Sequence, residues 1–229
     1  MCLCELADLL TRRDPSAALF FLKQSLLIFC KLEDSYKEAR TLFAIGSLAS
    51  QGRDYPSAFA YFVQARVIFR QRGDSAEDAN CSYQLGKLAT KGQQYPAAVT
   101  YFEEASNLYH SQQQPLDEAW CYYRLALVLL KLKIADATEA AAVELPVDYL
   151  TEARNLFRDA GEREAEGSCL MRLGEILKEV EPELAKACLK EALDYIDPER
   201  DVKGRRTTVV LQQLEAEKKP PAAGPAKAW

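Results

Sequence analysis

Apolar residues recur along this chain at helical spacing. Ala58, Phe62, Ala65 and Phe69 follow one another by four, three and four, which places them on one stripe of a helix. Ala39, Leu42 and Gly46 do the same for a preceding helix, and Gly52, Arg53 and Asp54 make the break between the two. Pro56 sits just after that break, in a first turn where its missing N–H would have no partner anyway. The pattern predicts a helix pair, A then B.

The pair repeats. Ala39, Gly46, Tyr55, Pro56, Ala58, Tyr61, Phe62 and Ala65 return as Ala79, Gly86, Tyr95, Pro96, Ala98, Tyr101, Phe102 and Ala105, each 40 positions on. Self-similarity at such a period is the mark of stacked units, none of which buries its apolar face alone. Outward extension adds a first B helix through Ala18, Leu22 and Phe29, with a short A partner from about Cys2 to Thr11. It also adds a fourth A helix through Ala119 and Ala126. The fourth B helix carries Tyr149, Leu150, Ala153 and Phe157, now 48 positions beyond Tyr101, Phe102, Ala105 and Tyr109, so eight residues have entered near 134–145. A fifth pair holds Gly167, Cys169 and Gly174, then Ala185, Cys188, Leu189, Ala192 and Ile196.

The expected organisation is one repeat domain over 1–197, with units at about 1–33, 34–73, 74–113, 114–160 and 161–197. A capping segment over 198–218 follows, in which Val202, Val209, Val210 and Leu214 are expected to form an amphipathic helix interrupted by Gly204. The Pro/Ala/Gly-rich residues 219–229 read as a flexible tail.

Glycine inside a helix costs about 1 kcal/mol against alanine, so Gly46, Gly86 and Gly174 in one column require close backbone approach. This Gly-then-Ala-x-x-x-Phe/Leu-x-x-Ala arrangement resembles the tetratricopeptide repeat over roughly Cys2 to Ile196. The long period resembles the extended variety found in cell-polarity adaptors, kinesin light chains and vesicle-fusion adaptors. The usual Trp near the start of helix A is replaced by Leu42 and Ser82, and the usual proline ending helix B is absent. The resemblance implies an all-α, right-handed superhelical solenoid of about five antiparallel helix pairs with a C-terminal capping helix. It also implies a concave groove lined by A helices that holds a segment of another protein, and it does not imply catalysis.

Composition narrows the class. With 48% hydrophobic and 28% charged residues the chain is too apolar for general disorder, and its charges interrupt every run long enough to span a membrane. The early Glu5 and Asp8 argue against a secretory or mitochondrial signal, leaving a cytoplasmic or nuclear address as the expectation. A net charge of −5 gives no global drive toward phosphate backbones, so nucleic acid is not an expected partner.

Candidate chemistry is sparse. Cys2, Cys81, Cys121 and Cys169 share one repeat column with Thr41, one per A helix. Helices 8–10 Å apart cannot bring such residues within the roughly 7 Å that a disulfide needs, nor converge four metal ligands. They read as small buried packing residues. His110 is the only histidine and closes a B helix, where a positive charge suits the helix end. No phosphate loop, nucleophile elbow or zinc-binding His-Glu-x-x-His stretch occurs. The acidic residues are expected on solvated faces, and no enzyme, metal or cofactor is expected.

By the family's geometry, Phe43, Tyr83, Tyr123 and Met171 form an aromatic and apolar ladder along the groove. Gln84, Lys87, Lys91, Arg124, Lys131 and Arg172 lie beside it as a cationic strip, with Trp120 adjacent. Such platforms suit a peptide or helix with apolar anchors and acidic residues; as core and solvated surface the same residues would bind nothing. The Lys/Asn/Arg clamp of chaperone-binding members is not reproduced, since Phe43, Tyr83 and Tyr123 stand where a Lys is needed. Two readings follow: an adaptor gripping a partner segment in the groove, or a structural subunit of a large assembly held by its convex face, insertion and C-terminal segment. The short first A helix leaves Leu19, Phe20 and Phe21 incompletely covered, which also admits self-association.

Overall fold

The computed structural model describes residues 14–136, 144–197 and 201–216. The short first A helix, most of the inserted stretch and the tail lie outside them. Among the described residues there are ten helices and no strands: α1 Pro15–Lys31, α2 Ser35–Gln51, α3 Tyr55–Arg72, α4 Ser75–Lys91, α5 Tyr95–Ser111, α6 Pro115–Asp136, α7 Glu144–Asp159, α8 Arg163–Leu177, α9 Pro182–Leu193 and α10 Val202–Ala216. The chain divides into two compact units, Met1–Leu132 and Lys133–Trp229.

In the first unit α1, α2 and α3 start on the same device. Asp14, Asp34 and Asp54 each accept a hydrogen bond from the backbone N–H three residues on, at Ala17, Lys37 and Ser57. Each thereby satisfies a donor that the first turn leaves open. Asp74 holds the equivalent place for α4, but its carboxylate accepts from Arg72 instead, at 2.7 Å. From Asp34 onward in this unit the residue before the cap position is left-handed: Glu33 at φ 53°, Arg53 at 65°, Gly73 at 78°, Gln93 at 59° and Gln113 at 56°. Only Gly73 adopts this without the Cβ penalty of about 1–2 kcal/mol.

The stacked core follows the repeat columns. Ala39, Leu42, Ala65, Phe69 and Cys81 form one buried cluster from α2, α3 and α4; Ala58, Phe62, Leu85 and Leu88 form the next. Ala79, Ala105, Tyr109 and Cys121 continue the series onto α6. Each fully buried Phe in this stack contributes about 1.5–3 kcal/mol of transfer free energy. The glycine column has its packing reason: a Cβ on Gly86 would lie 2.8 Å from the Phe102 ring, and one on Gly174 would lie 2.5 Å from Leu189 Cγ. At Gly46 the nearest atom, on Phe62, is 3.1 Å away.

Two expectations need correction. Acidic residues do not all lie on solvated faces, because Asp78, Glu118 and Glu166 are buried. They occupy a single column, separated by 40 and then 48 positions like the rest of the repeat, with Glu38 half-buried at its head. Each carboxylate faces cations or donors from the B helix before it or from its own helix. Asp78 accepts from Arg66 at 3.0 Å and from Arg70 at 2.9 Å. Arg66 also pairs with Glu104. Glu118 meets His110 Nδ1 at 3.0 Å and accepts from Tyr122 at 2.8 Å. In the second unit Arg154 repeats the place of Arg66, standing 3.8 Å from Glu166 and 2.5 Å from Glu191. His110, expected to complement a helix end, thus also faces a buried carboxylate.

The second correction concerns α10. It is one continuous helix in which Gly204, Thr207, Leu211 and Leu214 are buried, while Val202 and Val209 are exposed. The spacing of three, four and three selects that stripe. Lys203 donates to Ser168 Oγ at 3.1 Å and Arg206 meets Glu175 at 2.7 Å, holding α10 to α8.

Candidate functional site

A helices α4 and α6 bring the expected groove residues together in the first unit. Tyr83 rests its ring edge-on against Phe102, with centroids 5.7 Å apart. Its hydroxyl accepts from Arg124 Nε at 3.4 Å, so α6 reaches α4 through this pair. Lys87 donates to Gln84 Oε1 at 2.9 Å and lies 5.5 Å from the Tyr83 ring centre. Trp120 is 37% exposed and meets Tyr123 edge-on at 5.9 Å. Lys91, one turn beyond Lys87, lies 4.5 Å over the Tyr55 ring. Aromatic faces carry negative potential, so these rings steady the ammonium groups without neutralising them.

Other expected members sit elsewhere. Phe43 packs edge-on against Phe62 at 5.1 Å, Tyr123 is buried, and Lys131 is exposed near the end of α6. Met171 and Arg172 belong to the second unit, where Met171 is buried in the core and Arg172 pairs with Glu175 at 2.7 Å.

Between α4 and α6 lies a cavity of about 310 Å³, lined by Asn80, Tyr83, Gln84, Tyr109, Asp117, Trp120 and Arg124. Asn80, Tyr109 and Asp117 were not anticipated. Asn80 lies one turn before Gln84 on the same stripe, which was the available signal. Its Oδ1 accepts from the Tyr109 hydroxyl at 2.8 Å, fixing the amide, while its Nδ2 donates to Glu77 at 3.3 Å.

The electrostatics separate this groove from the arginines of α3. Arg66, Arg70 and Arg72 all have carboxylate partners. Among the described residues no carboxylate pairs with Lys87, Lys91 or Arg124. Burial pulls the Lys87 ammonium below its ordinary range, and the positive charges of Arg124 and Lys91 pull it further. An anion seated there would relieve that repulsion.

The cysteine column is buried at Cys81, Cys121 and Cys169, while Cys2 and Cys4 lie outside the described residues. Burial pushes the Cys81 and Cys169 thiols up to about 12, and Cys121 also upward. Such thiols are poor nucleophiles. Among the described residues no cluster of His, Cys, Asp and Glu is suited to a metal, and no helix is long and apolar enough to cross a membrane.

The family model described as "Soluble NSF attachment protein, SNAP" matches residues 1–144. No curated protein matches the sequence. Solved structures share the fold at low identity. Aspartyl phosphate phosphatase F from Bacillus subtilis superposes with a TM-score of 0.71 at 15% identity, over 93% of this chain and 53% of that one. The Podosopora anserina putative kinesin light chain with nearly identical TPR-like repeats gives 0.62 at 13% identity, over 96% of both chains. The Rap conjugation gene regulator of plasmid pLS20, in complex with the Phr* peptide, gives 0.56 at 16% identity, over 80% of this chain and 48% of that one. The fold is therefore all-α and built of TPR-like helical repeats.

Proposed function

Because the chain belongs to the soluble NSF attachment protein family, we propose that it is a non-catalytic adaptor that grips an acidic, apolar-anchored segment of a partner protein between α4 and α6. The observation that carries this reading is the group formed by Lys87, Lys91 and Arg124, left without carboxylate partners beside Tyr83 and Trp120 in a chain of net charge −5. A unit that pairs the arginines of α3 with carboxylates and clusters these three cations on α4 and α6, with Arg124 lining the cavity, has a complementary surface for carboxylates. The exposed edge of Trp120 and the ring of Tyr83 supply anchoring area of the kind that dominates interfaces. The Rap neighbour's complex with a peptide supports a peptide-sized occupant for this fold.

The test is capture of partners by the intact chain against a Tyr83→Ala/Lys87→Glu double variant, quantified by mass spectrometry. Partners held by the groove fall at least tenfold in the variant; unchanged capture of every partner refutes the reading. The structural-subunit alternative draws support from α1, where Phe20 (58%), Leu27 (53%) and Ile28 (44%) are exposed. It predicts that Phe20→Asp/Leu27→Asp, and not the groove variant, releases the bound proteins.

A further inference from the structure

The chemistry of the cavity between α4 and α6 specifies its occupant more narrowly than an acidic segment. We infer that it takes an extended, not helical, stretch of chain, with one aromatic or large aliphatic side chain in the cavity and a carboxylate beside it at the Arg124 end. The inference rests on the groove reading above and concerns the conformation and order of what binds there.

The amides of Asn80 and Gln84 carry the argument. They lie one turn apart on α4, so their side chains leave the helix about 5–6 Å from each other. Both have their carbonyl oxygens occupied within the protein: Asn80 Oδ1 by the Tyr109 hydroxyl, Gln84 Oε1 by the Lys87 ammonium. What they offer outward is therefore N–H: both donors of the Gln84 amide, and the one donor of Asn80 that Glu77 does not take at 3.3 Å. Along an extended chain, carbonyls on one edge recur every second residue, at about 6.4–6.8 Å. Two amide donors at the α4 spacing match alternate carbonyls of such a chain. A helix holds its own carbonyls in bonds to the N–H four residues on, and would leave both amides unused.

The rest of the cavity orders the segment. About 310 Å³ admits one large side chain, with Trp120 and Tyr83 along its walls. Arg124 and Asp117 are two turns apart along α6 and bring opposite charges to the same cavity. A carboxylate is therefore favoured beside Arg124 and Lys87, and disfavoured beside Asp117.

Trp120 is one of only two tryptophans, so Trp229→Phe makes it the sole indole reporter in the otherwise intact chain. The probes are an acetylated, amidated pentapeptide Phe-Glu-Leu-Glu-Gln, the same residues in reverse order, and a helical peptide of matching composition locked by a side-chain staple. The expected result is a saturable change in Trp120 emission with one of the two linear orders, and binding at least tenfold weaker for the stapled helix. Gln84→Met, which keeps the size and removes the donor, weakens the linear peptide about fivefold. Arg124→Gln weakens it tenfold or more. The extended assignment is overturned if the stapled helix binds as well as the linear peptides, or if Gln84→Met changes nothing, even where Arg124→Gln still weakens binding and so preserves the groove reading. If no probe responds to Arg124→Gln, both fall together. Circular dichroism of each variant establishes that the fold is intact.

Discussion

Removing the Asp78 carboxylate is the sharpest probe of how the repeats are locked together. Asp78 is 5% exposed and accepts hydrogen bonds from Arg66 at 3.0 Å and from Arg70 at 2.9 Å and 3.3 Å. Deleting one partner of a buried ion pair costs about 3–5 kcal/mol, because the other charge is left buried. Here Arg66 keeps Glu104 and the Arg70 side chain is 55% exposed, so both can recover part of the loss. We expect Asp78→Ala to cost about 2–3 kcal/mol, and so to lower the melting midpoint by about 4–12 °C for a chain of this size. Arg66→Ala and the double variant complete a cycle, read by urea denaturation at low and high salt. The expected coupling is at least about 1 kcal/mol, and largely insensitive to salt because Arg66 and Asp78 are both shielded. A coupling below about 0.5 kcal/mol would show that the buried acid column is incidental to the stack.

Further expectations are more local. Gly86→Ala places a methyl 2.8 Å from a buried Phe102 ring and should destabilise by about 1–2 kcal/mol despite the better helix propensity, whereas Gly46→Ala, at 3.1 Å, should fall within about 1 kcal/mol of neutral. Equal melting midpoints for the two variants would count against the close-approach account of the glycine column. Thiol labelling in the native state should spare Cys81, Cys121, Cys169 and Cys188 and reach the exposed Cys30; rapid modification of Cys81 without unfolding would contradict its burial. The Asp34 and Asp54 carboxyls are held below their ordinary range by hydrogen bonds from Lys37 and Ser57. A depressed carboxyl stabilises the fold above its unfolded pKa and loses that contribution as pH falls through the folded value. Acid titration followed by circular dichroism should therefore show a smaller loss in Asp54→Asn, which caps without titrating; a loss equal to the parent's would remove the cap from the acid transition.

The fold was legible because the repeat makes each column an independent statement about packing. Gly46, Gly86 and Gly174 name close contacts, and the Phe62 and Phe102 column names what fills them. The acid column was equally periodic, yet Asp78 and Glu166 read as surface residues, since a carboxylate is buried only with a cation supplied from elsewhere. That cation, Arg66 or Arg154, lies on a different helix and has meaning only once the stacking is known. The α10 face was misplaced because Gly204 reads as a helix breaker, whereas inside a packed helix it is a site of contact. The groove was half legible. Tyr83, Gln84, Lys87 and Arg124 converge as their columns require, but Asn80 and Tyr109 enter through a hydrogen bond between helices that spacing along one helix does not reveal. Met171 and Arg172 share the columns but serve core packing and an ion pair in the second unit.

The central claim is that the unpaired cations between α4 and α6 hold a partner's carboxylates. Its most direct test compares two charge reversals of equal size, Lys87→Glu/Arg124→Glu in the groove and Lys37→Glu/Lys23→Glu away from it, by quantitative capture of the same partners at physiological salt. Capture is expected to fall tenfold or more in the first and to stay at the parental level in the second. Equal effects of the two reversals, or none from either, would contradict it.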